Sequence, residues 1–188
     1  MKIPILLALL PMAAANVAAQ GYTISNLGNS PSEDPAWMWE SFADTVMGGK
    51  SELTPPAVVD ADGSKAMLLA GRVVTKGGGF IQVRLRYGKD RFDASAWSGV
   101  EVEVDARSET SWHIFLRTRD TLFPWSYYGA PFKPSSSRST IRIPWSAFEA
   151  ASTLRKNVRT DSISSVALVA AFEDFNAYLR IYRVGFYK

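Results

Sequence analysis

The 188-residue chain carries a formal net charge of +3, no cysteine and a single histidine. That charge is too small to argue for nucleic acid, and without thiols the chain forms neither disulfides nor thiolate metal sites. With 47% hydrophobic residues and six tryptophans, it suits one domain held together by a packed core.

Met1-Lys2 is a short positive start, Ile3–Ala15 an apolar run and Val17-Ala18-Ala19 a small-residue cleavage site. Together they read as a secretory signal peptide over residues 1–19, which makes the protein an exported one, periplasmic or extracellular. A span needs about 18 or more apolar residues. This run is shorter and broken by Pro4 and Pro11, so no stable membrane span is expected after cleavage. Residues 20–36 are polar and read as a loose leader with at most one short strand around Tyr22–Ser25. The domain proper is expected over residues 37–188.

Trp37–Phe42 alternates large and small groups and reads as a strand feeding the corner Met47-Gly48-Gly49. A second glycine cluster, Gly77-Gly78-Gly79, precedes Phe80. Neither cluster has the spacing of a phosphate-cradling loop. Both mark tight corners beside strands, where glycine permits positive φ or close backbone approach, and the two corners are expected to meet. Asp62-Gly63 between apolar runs is a hairpin signal pairing Val58-Val59 with Ala66–Val74. Asp60-x-Asp62-Gly63 also suggests a calcium loop, but such a loop needs glycine at its sixth position and glutamate at its twelfth, where this chain has Gly71.

Phe80–Tyr87 places Ile81, Val83 and Leu85 on one face and Phe80, Gln82, Arg84 and Arg86 on the other. Val100–Ala106 turns Val100, Val102 and Val104 inward and Glu101, Glu103 and Asp105 outward. Ser111–Thr118 splits Trp112, Ile114 and Leu116 from His113, Phe115 and Arg117. If these successive strands pair, they share a polar face carrying Gln82, Arg84, Glu101, His113 and Arg117. That face is either solvated sheet or the binding face of a sandwich, and periodicity does not say which.

The aromatic run Leu122–Phe132 contains two prolines and a glycine, so part of it is edge or loop. Trp125, Tyr127 and Tyr128 are either a stacking platform or core plugs beneath a long loop. Between Lys133 and Arg159 six basic residues face only Glu149, which reads as a solvated edge or as a docking surface. Thr140–Ile143, Ile163–Phe172 and Ala177–Tyr187 complete a set of about nine or ten strands, with a helical turn opened by Pro144. No apolar 3.6-residue period persists, so the expected class is all-β, a β-sandwich with minor helical turns.

Asp44-x-Val46-Met47-Gly48-Gly49-x-Ser51, with Gly78-Gly79-Phe80-x-x-x-Arg84 downstream, resembles the signature of the CIA30 family, named after a mitochondrial complex I assembly factor. Phe92–Val100 and Arg142–Phe148 are similar to later segments of that family, and the likeness covers roughly Trp37 to Tyr187. The resemblance implies a jelly-roll β-sandwich of the galactose-binding-domain-like kind, acting in binding or assembly without enzyme chemistry. Two family loops differ here, where Asp105–Thr110 and Ala151–Lys156 stand instead.

The residues themselves offer little catalysis. His113 stands alone in mid-strand with no GxSxG elbow. No paired carboxylates are identifiable, and Asp44 reads best as the cap of its own glycine turn. No catalytic residue, cofactor or metal is assigned. The candidate ligand or partner residues are Asp44, Met47, Gly48, Gly49, Ser51, Gly78, Gly79, Phe80 and Arg84 at the corners, with Arg117, Trp125 and Tyr127 on the face and loop. The expected partner is a cell-envelope protein or a glycan.

Overall fold

A computed structural model describes residues 21–28, 31–108 and 112–188. The signal peptide expected over residues 1–19 lies outside the described residues. Among the described residues there are fourteen strands: β1 Tyr22–Asn26, β2 Ser32–Glu33, β3 Trp37–Ala43, β4 Glu52–Leu53, β5 Ala57–Ala61, β6 Ser64–Val73, β7 Phe80–Tyr87, β8 Gly99–Ala106, β9 Trp112–Thr118, β10 Tyr127–Phe132, β11 Ser139–Pro144, β12 Glu149–Ala151, β13 Ile163–Ala171 and β14 Phe175–Tyr187. Helix among the described residues is confined to short 3-10 turns at Asp44–Met47, Trp145–Ala147 and Thr160–Ser162. None is long and apolar enough to cross a membrane.

The strands form two antiparallel sheets packed as a sandwich. One has six strands in the order β12-β10-β9-β13-β7-β3. The other has eight, with β11-β8-β14-β1-β2 as its path and β6, carrying β4 and β5, also paired to β14. The core lies between them, where Ile81, Val83, Leu85, Ile114, Leu116 and Leu168 meet Val100, Val102, Val104, Leu179 and Ile181, all buried. Asp62 and Gly63 have φ of 51° and 80°, the paired positive values of a two-residue hairpin turn, and Val58 opposes Met67 as the sequence implies.

Three expectations change. First, β7 and β8 do not pair, because they belong to opposite sheets. Glu101 therefore lies on the far outer face, away from Gln82, Arg84 and Arg117, where Arg142 at 2.7 Å and Arg183 hold it. Burial works to raise the Glu101 carboxyl, but these two arginines outweigh it and leave it below its ordinary value. Second, residues 20–36, read as a polar leader with at most one short strand around Tyr22–Ser25, carry β1 at that place and β2 besides. β1 joins the eight-stranded sheet between β14 and β2, and the Tyr22 ring packs 4.6 Å from Phe92 and 5.5 Å from Trp97. Third, the basic stretch is not faced by Glu149 alone. Acids distant in sequence neutralise it: Glu103 holds Arg138, Glu101 holds Arg142, and Asp120 lies 3.6 Å from Arg155 and 3.9 Å from Arg159.

Candidate functional site

The outer face of the six-stranded sheet carries a groove of about 440 Å³. Its floor is β13, whose outward positions Ser165, Ala167 and Ala171 are small and leave a trough between two taller strands. The register sets the rows across it. Glu40 of β3 opposes Arg84 of β7, which opposes Ala167, which opposes Phe115 of β9, which opposes Gly129 of β10. In the next row Arg86, Ser165 and Arg117 stand side by side. Gly129 makes room for the Phe115 and Tyr127 rings, which stack at 3.9 Å and 14°, since a Cβ there would lie 2.9 Å from the Tyr127 ring.

One wall is the loop between β9 and β10. Arg117 sends its guanidinium into that loop, donating to the carbonyls of Phe123 at 2.7 Å, Pro124 at 3.0 Å and Thr121 at 3.4 Å. The loop so fixed displays Phe123 and Trp125 stacked on each other at 5.1 Å and 3°, with Trp125 57% exposed. Below it Ser126 turns inward and donates to the Ser152 carbonyl at 2.6 Å. Of the aromatics read as either platform or plug, Tyr128 is a plug, fully buried with its hydroxyl on the Arg155 carbonyl, whereas Trp125 faces solvent and Tyr127 lines the groove. Burial pushes the Tyr127 hydroxyl above its ordinary pKa.

The opposite wall is β3 and β7. Glu40 accepts from Arg84 Nε at 2.9 Å and Nη2 at 2.6 Å and also holds Arg86, while the Arg84 guanidinium lies 4.8 Å over the Phe42 ring. Burial works to raise Glu40, and the Arg86 and Arg84 hydrogen bonds outweigh it, so its carboxyl sits below the ordinary value. At the far end, Phe172 takes a φ of 73° and sets its ring 4.8 Å from His113. A bulky residue in this left-handed region costs on the order of 1–3 kcal/mol, a strain that concentrates at ligand-facing positions.

The two glycine corners meet at this end, joined by Asp44. Its fully buried carboxylate accepts from the Ser51 amide and hydroxyl, each at 2.9 Å, and from the Gly79 amide. The Ser51 hydroxyl oxygen in turn accepts from the Val74 amide at 3.0 Å. Asp44 is thus not the side-chain cap of its own turn. That turn closes through its backbone carbonyl, which accepts from Gly49 at 3.0 Å, and the side chain reaches across to the second corner. A Cβ on Gly49 would fall inside the carboxyl group and one on Gly78 would lie 2.7 Å from it, so these two glycines are the imprint of one buried acid, while Gly48 and Gly79 answer to positive φ of 85° and 101°.

The candidates therefore separate. Met47, Gly78, Gly79, Phe80, Arg84, Arg117, Trp125 and Tyr127 line one groove, while Asp44, Gly48, Gly49 and Ser51 stand behind it as its support. Phe42, Val46, Pro124, Ala167 and Phe172 also line it and were not singled out from sequence. The small residues alternating along β13 were the available signal. Among the described residues no group of three or more His, Asp or Glu side chains is placed to hold a metal ion.

Residues 29–178 match the sequence profile of Complex I intermediate-associated protein 30, CIA30. The chain belongs to the CIA30 family. No curated protein matches it in sequence. In fold, this CIA30 chain is similar to the family 11 carbohydrate-binding module of the cellulosomal cellulase Lic26A-Cel5E of Clostridium thermocellum, with a TM-score of 0.69 at 13% identity over 90% of this chain and 95% of that one. A family 30 carbohydrate-binding module is similar at a TM-score of 0.57 and 12% identity, over 89% of this chain and 98% of its own. These likenesses establish the galactose-binding-like jelly roll for the CIA30 domain. Family and fold together support a binding module.

Proposed function

We propose that this CIA30 domain is an exported carbohydrate-binding module whose site is the groove on the six-stranded sheet. The observation that carries the reading is the exposed Trp125 face, held rigid by Arg117 beside a trough that also presents Gln82 and Arg84. Sugars are recognised by this combination of a flat apolar ring face for stacking and nearby polar groups for hydroxyls. The volume falls within the roughly 300–1,000 Å³ of small-molecule sites. The fold likeness adds support, since one structure of the family 11 module is described in complex with a β-1,3-1,4-mixed-linked tetrasaccharide, at a TM-score of 0.65 and 13% identity.

A glycan array with the purified protein, beside Trp125→Ala, tests the reading. Binding that the substitution abolishes is expected; binding that survives it would remove the site from this groove. Val46 and Met47, 69% and 54% exposed at the rim, favour a second reading in which a cell-envelope protein docks there in an assembly role. A folded protein that ignores every glycan yet captures such a partner, and loses it on Met47→Asp, would establish that reading instead.

A further inference from the structure

A second depression of about 270 Å³ opens beside the groove and shares Arg84, Arg117 and Ser165 with it. Arg86, Lys89 and Arg91 complete its rim, so five cations surround it. Against them stand Glu40, already engaged by Arg84 and Arg86, Asp34, whose carboxyl feels the Lys89 charge, and Asp90, which is splayed into solvent 3.4 Å from Arg91. Among the described residues no carboxylate lies within ion-pair distance of Arg117. Ser164 and Ser165 add hydroxyls to the same wall.

Resting on the carbohydrate reading above, we infer that the ligand is a polysaccharide bearing carboxylates, a uronate chain, whose sugar rings lie in the groove and whose acid groups enter this cationic depression. Arg84 and Arg86 already hold Glu40 and Arg117 holds its loop carbonyls, so the charge-assisted hydrogen bonds to a ligand carboxylate come chiefly from Lys89 and the Arg91 guanidinium, with the other three cations adding field. The crowding of like charges supports the assignment. Burial lowers the Arg117 pKa, and the nearby Arg84 charge lowers it further; of these two arginines Glu40 pairs with Arg84 alone, so an anion beside Arg117 relieves a repulsion that this ion pair leaves in place. The geometry suits a chain rather than a single sugar. From Ser165 to Ala171 the floor of the groove runs roughly 20 Å along one strand, and Arg117 both borders the depression and fixes the Trp125 loop, so charge and stacking surface adjoin.

Calorimetric titration of the protein with four oligosaccharides of equal length tests this: an oligogalacturonate, its methyl ester, a sulfated oligosaccharide and a neutral β-glucan. The oligogalacturonate is expected to bind at least roughly tenfold more tightly than its ester, the worth of a charge-assisted hydrogen bond, with an affinity that falls as salt rises. Lys89→Gln with Arg91→Gln, both exposed and neither holding Glu40, is expected to erase much of that preference while the urea midpoint stays in place. Equal binding of acid, ester and glucan would overturn the uronate assignment and leave the carbohydrate reading standing. Tighter binding of a sulfated oligosaccharide than of the uronate would overturn the carboxylate as well. No binding to any sugar, with Trp125→Ala equally silent, would remove both.

Discussion

The Asp44 junction makes a coupling that double-mutant analysis can read. Replacing Asp44 by alanine strips the acceptor from two buried backbone amides, Ser51 and Gly79. At about 1–3 kcal/mol per orphaned buried donor, the loss is about 2–6 kcal/mol, a large share of the roughly 5–15 kcal/mol that holds a domain folded. Gly49→Ala in the native background forces a methyl into the carboxyl group and is expected to cost about 1–3 kcal/mol as overpacking. Gly49 has no positive φ, so backbone strain adds nothing, and the three atoms nearest to its Cβ position all belong to the Asp44 carboxyl. In the Asp44→Ala background Gly49→Ala should therefore be almost free. Gly78→Ala should be relieved only in part, because its nearest obstacle includes the Asp44 Cβ at 2.7 Å, which alanine keeps. Urea unfolding followed by tryptophan fluorescence gives the four free energies of each cycle. Additivity of Asp44→Ala and Gly49→Ala within about 0.5 kcal/mol would refute the claim that the glycine is there to admit the acid.

Two further outcomes follow from the hydrogen bonds already described. Arg117→Lys replaces a planar fork, which reaches the three carbonyls from two separate nitrogens, by a single ammonium nitrogen that does not span them, so amide exchange over Thr121–Ser126 should quicken by roughly tenfold or more, with little change in the global midpoint; unchanged exchange would mean that the loop holds its own shape. Glu101 and Glu40 both have folded-state pKa values below their ordinary ones, so their stabilising contribution is fully present above the unfolded carboxylate value of about 4.3 and drains away as pH falls through the lower folded values. Glu101→Gln, the more buried of the two, should flatten the acid limb of a stability-against-pH curve, and an unaltered limb would count against its arginine pairs as the cause.

Alternation along a strand reports which side chains share its face, and for β7, β8 and β9 that reading agrees with the structure. It carries no information about which strands lie side by side. In a jelly roll, consecutive strands cross between sheets, so Glu101 was grouped with Arg84 although the whole core separates them. Asp44 illustrates a second limit. Its partner at Gly79 is 35 positions away, and a local Asx turn was the only arrangement that local chemistry could suggest. The aromatic run shows a third. Trp125 and Tyr128 are three residues apart and equally apolar, yet one faces solvent and one is buried. The difference is made by Arg117 and Ser126 pulling the loop backbone inward, hydrogen bonds that no periodicity encodes.

β14 follows every other strand in the chain and yet runs through the middle of the eight-stranded sheet, with β8 along one edge and β6 and then β1 along the other. No two of these three neighbours hydrogen-bond to each other, so that sheet has no path to assembly until Phe175–Tyr187 is available. During synthesis the nascent chain must remain open, with β1 waiting for a strand encoded at the opposite end of the domain. Such non-local closure makes folding slow. It also leaves a window in which the polypeptide is unfolded and threadable before its final strand zips the sandwich shut.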